Sequence, residues 1–395
     1  MNTIDISENS NSKLSIPSIR EREVKKLKGA IIGFGFIAGN GHWPSYKKRL
    51  VDHGDVEIIA ICDLNIDRLR IAQQNGLNSF RTYYDYRDLI DKEKYNIDFI
   101  DIATPPYAHA DIIEYALKNG LHVLCEKPLV TKSLDAEMLI ELAQREKRVL
   151  FPVHNYKHAP IVKAIREIIG NGDGDGKIGR VKSVTINTFR NTHARGVLEW
   201  NTNWRRDNKY SGGGIAMDHG SHSLYLLFEW LKSYPTSITA SASASTSMST
   251  LSSENEDDFF ATLHFANAGL AQINLTWNAG VRKVIYTIQG TKGAITVEDD
   301  KMEVATMREC DDQNQNFGYA SVNWHFENYN ISSKWMDSSH IEWFNSLFEQ
   351  FKLAIIEHDY LNKEIIDAYR CIKVIESAYN SANNESKKEI ISYLL

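Results

Sequence analysis

Two short segments carry the side chains best suited to chemistry. The first, Cys125-Glu126-Lys127-Pro128-Leu129, sets a lysine at the end of an apolar run. The second is Trp204-Arg205-Arg206-Asp207, followed by Gly212-Gly213-Gly214-Ile215-Ala216-Met217-Asp218-His219-Gly220-Ser221-His222. If the glycines open a helix, Asp218 and His222 fall four apart on one face. A carboxylate beside an imidazole raises its basicity and fixes its orientation. That suits a base that removes a hydroxyl proton while the carbon gives up hydride. A lysine at the carboxyl end of a parallel strand can hydrogen-bond a substrate oxygen and stabilise developing charge. Plainer readings compete: Lys127 as a solvated surface charge, His222 as a packed helix histidine, or Asp218, His219 and His222 as metal ligands. No further Cys/His cluster has ligand spacing, so no metal is expected.

A third segment, Gly33-Phe34-Gly35-Phe36-Ile37-Ala38, lies between an apolar run at 29–33 and a helix running to about Val51. Glycines there allow a tight turn and close approach of a pyrophosphate to a helix N-terminus, and Ala38 is a permitted third residue. In a strand–turn–helix setting this marks a dinucleotide site, against a glycine turn needed only for packing. Asp63, just past a second strand at 56–62, can accept hydrogen bonds from ribose hydroxyls and repel a 2′-phosphate. That favours NAD over NADP, unless nearby Arg68 offsets the charge or Asp63 merely caps a turn. The run Ala103-Thr104-Pro105-Pro106-Tyr107-Ala108-His109 and the Glu126-Lys127 pair both follow apolar strands, where ligands bind in open α/β sheets.

The elements that must position these residues come in two patterns. Strands at 29–33, 56–62, 99–103, 121–125 and 149–153 alternate with helices to 51 and at 67–75, 108–118 and 133–147. Gly76 closes the second helix and Ser133 is the expected N-cap of the last. Such alternation predicts a parallel sheet covered on both faces. From 155 the pattern changes to a helix at 159–169 and a glycine-rich stretch at 170–179. Strands at 181–189, 237–248, 259–265, 271–277, 284–290 and 294–297 then predict an antiparallel or mixed sheet. Residues 237–253 are nearly all Ser, Ala and Thr; the alternation of Ile238, Ala240, Ala242 and Ala244 with polar residues favours a strand over a linker. Residues 309–330 have no assignment, and helices close the chain from 339. The division is a disordered or extended lead-in (1–27), an α/β Rossmann domain (28–154) and an α+β domain (155–395).

A net charge of −6 argues against a nucleic-acid binder held by phosphate contacts. No apolar run approaches a membrane span, and the polar start lacks a secretory core. Cys62, Cys125, Cys310 and Cys371 stand far apart, which fits a reducing cytoplasm. Arg190, Arg195, Arg205, Arg206 and Lys209 could form a cluster holding a phosphate or carboxylate, or a solvated face.

Together the early glycine motif, Thr104-Pro105-Pro106 with His109, Glu126-Lys127-Pro128 and the Gly212 to His222 segment resemble the glucose-fructose oxidoreductase / inositol dehydrogenase (Gfo/Idh/MocA) family. The resemblance runs from about residue 28 to the final helices. It implies a Rossmann domain followed by a domain with a large open, mostly antiparallel sheet. It also implies association as a homodimer or homotetramer through the sheet's outer face, where the strand around Ala240 would lie. The activity implied is hydride transfer between NAD and a sugar, sugar derivative or cyclitol, without metal. Lys127 would be the lysine beside the nicotinamide, Asp218 its acidic partner and His222 the proton-transferring residue. The cofactor site would comprise Gly33, Gly35, Phe36, Ile37, Ala38, Asp63, Arg68, Ala103, Thr104, Pro105, Pro106, His109, Glu126 and Lys127. The substrate site would comprise Lys127, Asn155, Lys157, Trp204, Arg205, Asp218 and His222. Two departures touch the substrate side: Tyr225 stands where the family commonly has Asp, and Asn155-Tyr156-Lys157-His158 where many members have Arg-Phe. The alternatives are a cofactor-binding regulator without activity, or a glycosidase or epimerase that retains its NAD.

Overall fold

A computed structural model describes residues 3–6, 26–75, 80–172, 174–244, 255–308, 323–331 and 341–394. After a strand β1 (Thr3–Ile6), the first domain runs β2 (Leu27–Ile32), α1 (Trp43–Asp52), β3 (Val56–Cys62), α2 (Ile66–Gln74), β4 (Arg81–Tyr83), α3 (Tyr86–Glu93), β5 (Phe99–Ile102), α4 (His109–Lys118), β6 (His122–Cys125), α5 (Ser133–Glu146) and β7 (Leu150–Pro152). The strands form a parallel sheet in the order β4-β3-β2-β5-β6-β7. Every residue of β5 is buried, as a sheet covered on both faces requires. The chain winds one way from β2 to β3 and the other way to β5. A crevice therefore opens outside the carboxyl ends of β2 and β5, where Gly33 and Ala103-Thr104 lie.

The second domain runs α6 (Pro160–Ile169), β8 (Val181–Phe189), α7 (Asn208–Ser211), α8 (Ser221–Leu231), β9 (Pro235–Ser243), β10 (Asp258–Phe265), β11 (Leu270–Thr276), β12 (Lys283–Gly290), β13 (Gly293–Glu298), β14 (Lys301–Arg308), β15 (Asn323–Ile331), α9 (Ile341–Glu357), α10 (Lys363–Asn383) and β16 (Glu389–Ile390). Its sheet has ten strands in the order β1-β15-β14-β13-β12-β8-β11-β10-β9-β16. All pairs are antiparallel except β8 with β11 and β1 with β15. Helices α6, α8 and α10 bury one face.

Several expectations need correction. Of the two readings of the lead-in, disordered or extended, Thr3–Ile6 take the extended one and pair in parallel with β15. Ser133 does not cap α5; its hydroxyl and backbone N–H both donate to Glu376, tying α5 to α10. Ala240 faces inward, 2% exposed, because α10 lies on β9 and Ser381 accepts its N–H, so small residues there serve helix-on-sheet packing rather than an outer face. Helix α9 leaves its own domain. Phe344, Leu347, Phe348 and Phe351 join the core around Phe34, Tyr46 and Phe99 of the first domain. Arg49, Asp55, Glu349 and Lys352 pair beside that contact. Burying each such ring contributes roughly 1.5–3 kcal/mol. Gly76, Cys310, and the parts of the expected strand and linker at 245–254 lie outside the described residues. Cys62, Cys125 and Cys371 are buried free thiols. Among the described residues no helix is long and apolar enough to cross a membrane.

Candidate active site

The crevice at the β2/β5 switch opens into a cavity of about 490 Å³ shared by the two domains. The glycine turn forms its floor. Gly33 has φ +88°, and a Cβ there would come within 2.8 Å of the Thr104 side chain, so only glycine fits. A Cβ on Gly35 would meet nothing within 4 Å and would instead occupy the cavity. Phe36 and Ile37 also line the cavity, whereas Ala38 is buried behind it in a π-helical turn, Ala38–His42, that leads into α1. A glycine turn with open space above its backbone is the cradle a pyrophosphate needs, so these residues fit a dinucleotide.

Asp63 stands at the end of β3. Its Oδ2 accepts the Phe34 N–H at 2.7 Å and its Oδ1 the Asn65 N–H at 2.8 Å. Burial raises its pKa despite these bonds. Each oxygen keeps a lone pair for a ribose hydroxyl. Arg68 is already committed: Nε donates to the Phe34 carbonyl at 2.7 Å, and the guanidinium lies 3.5 Å from Glu199. It braces the glycine turn rather than standing free beside Asp63. Ala103, Thr104, Pro105 and Pro106 line the opposite wall. His109 does not reach the cavity. It is fully buried, with its ring nitrogens on the carbonyls of Thr104, Pro128 and Leu129, and so ties the two wall segments together.

Lys127 and Asp218 meet across the domains. Lys127 Nζ donates to Asp218 Oδ1 at 2.9 Å and to its carbonyl at 3.1 Å. Arg205 Nε lies 3.3 Å from Asp218 Oδ2. Burial alone would raise the Asp218 pKa, but Lys127 and Arg205 outweigh it and hold the carboxyl well below its usual range. The triple glycine makes this placement possible. A Cβ on Gly214 would overlap the Glu256 carbonyl, 2.0 Å away, while the Glu256 carboxylate accepts the N–H groups of Gly214 and Ala216 at 2.9 Å. Asp218 then falls in a π-helical turn, Ala216–Gly220, before α8. The expected Asp218–His222 pair does not form, because that wide turn directs Asp218 to the cations. His222 Nδ1 instead bonds the Tyr225 hydroxyl at 2.6 Å, and its ring stacks on Tyr156 at 4.1 Å. Burial, then the Lys127 charge, push its pKa well below 6.5. His219, also lining the cavity, is pushed down to about 3, first by burial.

Asn155, Trp204 and Arg205 line the cavity as expected. Lys157 does not: its ammonium is buried between Glu364 at 2.7 Å and Asp367 at 2.8 Å, anchoring α10. The expected cation cluster is dispersed. Arg195 and Arg205 reach the cavity, Arg206 pairs with Asp257 at 3.0 Å, and Arg190 and Lys209 lie off it. Among the described residues no group of three His, Cys, Asp or Glu could hold a metal.

Sequence reasoning missed one network. His42 Nδ1 bonds Asp101 Oδ2 at 2.9 Å, its Nε2 bonds Glu126 Oε1 at 3.0 Å, and Tyr46 donates to Asp101 at 3.0 Å. Burial opposes the charge on His42, but the two carboxylates raise its pKa to about 10. Glu126 Oε2 accepts the Lys127 N–H at 3.0 Å, so this network joins the glycine turn to the lysine. The available signal was Asp101, a carboxylate inside an otherwise apolar strand.

Comparison with known proteins agrees with this geometry. Residues 27–154 match the model of an oxidoreductase family with an NAD-binding Rossmann fold, and residues 174–390 match the C-terminal alpha/beta domain of the same family. D-apiose dehydrogenase of Paraburkholderia graminis is 33% identical over 156 residues, 40% of this chain and 38% of that protein. Levoglucosan dehydrogenase of Pseudarthrobacter phenanthrenivorans is 25% identical over 339 residues, 76% of this chain and 80% of that one. The solved levoglucosan dehydrogenase complex with NADH and levoglucosan superposes with a TM-score of 0.75 at 19% identity, covering 93% of this chain and all of that one. The chain belongs to the Gfo/Idh/MocA family of NAD-binding oxidoreductases.

Proposed function

We propose that this oxidoreductase transfers hydride between nicotinamide and a hydroxyl-bearing carbon of a sugar or cyclitol. The observation that carries the reading is the meeting of Lys127, from the first domain, with Asp218, from the second, in the cavity that also holds the glycine turn and His222. Gly33, Gly35 and Asp63 would hold the dinucleotide, with NAD preferred. Asp63 offers lone pairs to ribose hydroxyls, and Arg68 is spent on the turn and on Glu199. The bound nicotinamide supplies or accepts the hydride. Lys127 and His222 meet the reacting oxygen, and Asp218 holds the Lys127 ammonium in place. Trp204, Trp200 and Tyr107 give the cavity an aromatic wall facing the polar groups that would orient a small molecule. Two relatives named as dehydrogenases of apiose and levoglucosan favour a carbohydrate. The outer sheet face exposes Phe260, Trp324 and Phe326, which fits a homo-oligomeric contact.

A panel of sugars, sugar phosphates, nucleotide sugars and inositols, read by absorbance of the reduced nicotinamide with NAD and NADP in parallel, tests the proposal. At least one alcohol should reduce NAD, and NAD should be favoured. Cofactor binding without turnover on any member would remove the dehydrogenase reading.

A further inference from the structure

We propose that Tyr225 sets the tautomer of His222: the phenol donates to Nδ1, so the neutral ring carries its proton on Nε2 and meets the reacting oxygen as a hydrogen-bond donor. The inference rests on the reading of this cavity as a hydride-transfer site, and its argument is a count of donors and acceptors at one oxygen. The Tyr225 hydroxyl has two partners among the described residues, the backbone N–H of Tyr156 at 3.3 Å and His222 Nδ1 at 2.6 Å. The N–H can only donate, so the phenol proton needs an acceptor, and Nδ1 is the one within reach. Tyr225 is fully buried, and no solvent is at hand to take that proton instead. A proton on Nδ1 would force the oxygen to accept twice and leave the phenol proton unpaired. That arrangement is disfavoured on the order of tenfold or more. The stacked Tyr156 ring, 4.1 Å away and 15° from coplanar, holds the imidazole in its plane, and a 180° flip ending in that plane would set Cδ2 against the phenol and leave its proton unpaired.

The polarity matters. A carboxylate in place of the phenol would accept from Nδ1–H and leave Nε2 with a lone pair, able to take a substrate proton. The phenol reverses this. The burial and the neighbouring Lys127 charge that keep the ring neutral leave Nε2–H as a donor throughout. As the carbonyl carbon gains hydride in the reducing direction, its oxygen takes a proton from the Lys127 ammonium, which is left as an amine; in the oxidising direction the same proton returns. His222 then positions and polarises the oxygen without exchanging a proton. This differs from the proton-transferring role that the family resemblance implies for it. Tyr225 is a positioning residue acting through His222.

The test is the ring nitrogen spectrum of the full chain labelled with 15N-histidine, with the His222 signals assigned by their loss in His222→Gln. At neutral pH the wild type should show a proton-bearing Nε2 and a bare, hydrogen-bonded Nδ1. Tyr225→Phe should shift Nδ1 and mix the two tautomers. A proton on Nδ1 in the wild type, or ring signals unchanged in Tyr225→Phe, would overturn the inference. If Tyr225→Phe fails to fold, the wild-type spectrum decides alone. The readout needs no substrate: the expected tautomer in a protein that oxidises no alcohol would fail the functional reading and leave the tautomer assignment standing.

Discussion

His42 and His222 are both removed from solvent, 1% and 5% exposed, and burial disfavours a charge on each. Their charge states are nevertheless opposite. His42 sits between Asp101 and Glu126, whose attraction exceeds the desolvation cost and raises its pKa to about 10. His222 sits near the Lys127 cation and a neutral phenol; burial and the Lys127 charge outweigh the opposing pull of the Asp218 carboxylate, and its pKa falls well below 6.5. Burial alone predicts a neutral ring in both places, and the charges around each ring decide whether that holds. The two rings flank Lys127 differently. The charged one braces the strand end that presents the lysine, through Glu126, and the neutral one faces the cavity with it.

The strongest way to break this comparison is to remove the group between its halves. Lys127→Ala should lower turnover by roughly 10²–10⁴-fold while cofactor affinity survives, as steady-state rates and a cofactor titration would show. Full activity would mean that neither histidine serves a site built on the lysine. Next in size is His42→Gln, which leaves two buried carboxylates without their cation and should cost about 3–5 kcal/mol in denaturant unfolding. His222→Gln leaves only a phenol short of a partner and should cost about 1–3 kcal/mol. Equal losses would erase the distinction.

The pH dependence of stability sharpens it further, because the two linkages have opposite sign. The folded pKa of His42 is raised, so its contribution is fully present below 6.5 and is lost as pH rises through about 10. The folded pKa of His222 is lowered, so below 6.5 the unfolded chain takes up a proton that the folded one refuses, and stability falls with acid. Each slope is up to about 1.4 kcal/mol per pH unit. His42→Gln should flatten the alkaline limb and His222→Gln the acid limb in urea titrations across pH. The smallest effect is expected at Lys209, a surface cation off the cavity. Lys209→Ala should change stability by less than about 0.5 kcal/mol and leave the Michaelis constant unchanged.

Much of this architecture was legible in the chain. The strands Val56–Cys62 and Val181–Phe189 fall where their apolar patterns place them, because β-branched runs and strict alternation leave one reading. Strand β4 and helix α3 were passed over since Arg81–Tyr83 is a short polar edge strand and Tyr86–Glu93 is mostly charged. Strand β14 hid its inward Met302 and Val304 among charged neighbours. At the site, Lys127 and Asp218 were found because their motifs are local. Asp218 was misassigned as the partner of His222, because helical spacing assumes 3.6 residues per turn and the π-helical turn through Asp218 breaks that spacing. Glu256, which shapes the turn, comes from 42 residues away in sequence and leaves no local mark. His109 and Lys157 were polar residues in the right segments whose side chains turn into the protein to hold it together.

The most direct measurement follows one hydrogen. The best alcohol from the substrate panel, deuterated at its reacting carbon, should pass its label to the nicotinamide with a slowed rate, and Lys127→Ala should slow the transfer by roughly 10²–10⁴-fold without releasing the cofactor. Label that stays on the alcohol while NAD remains bound, or transfer undiminished in Lys127→Ala, would contradict the account.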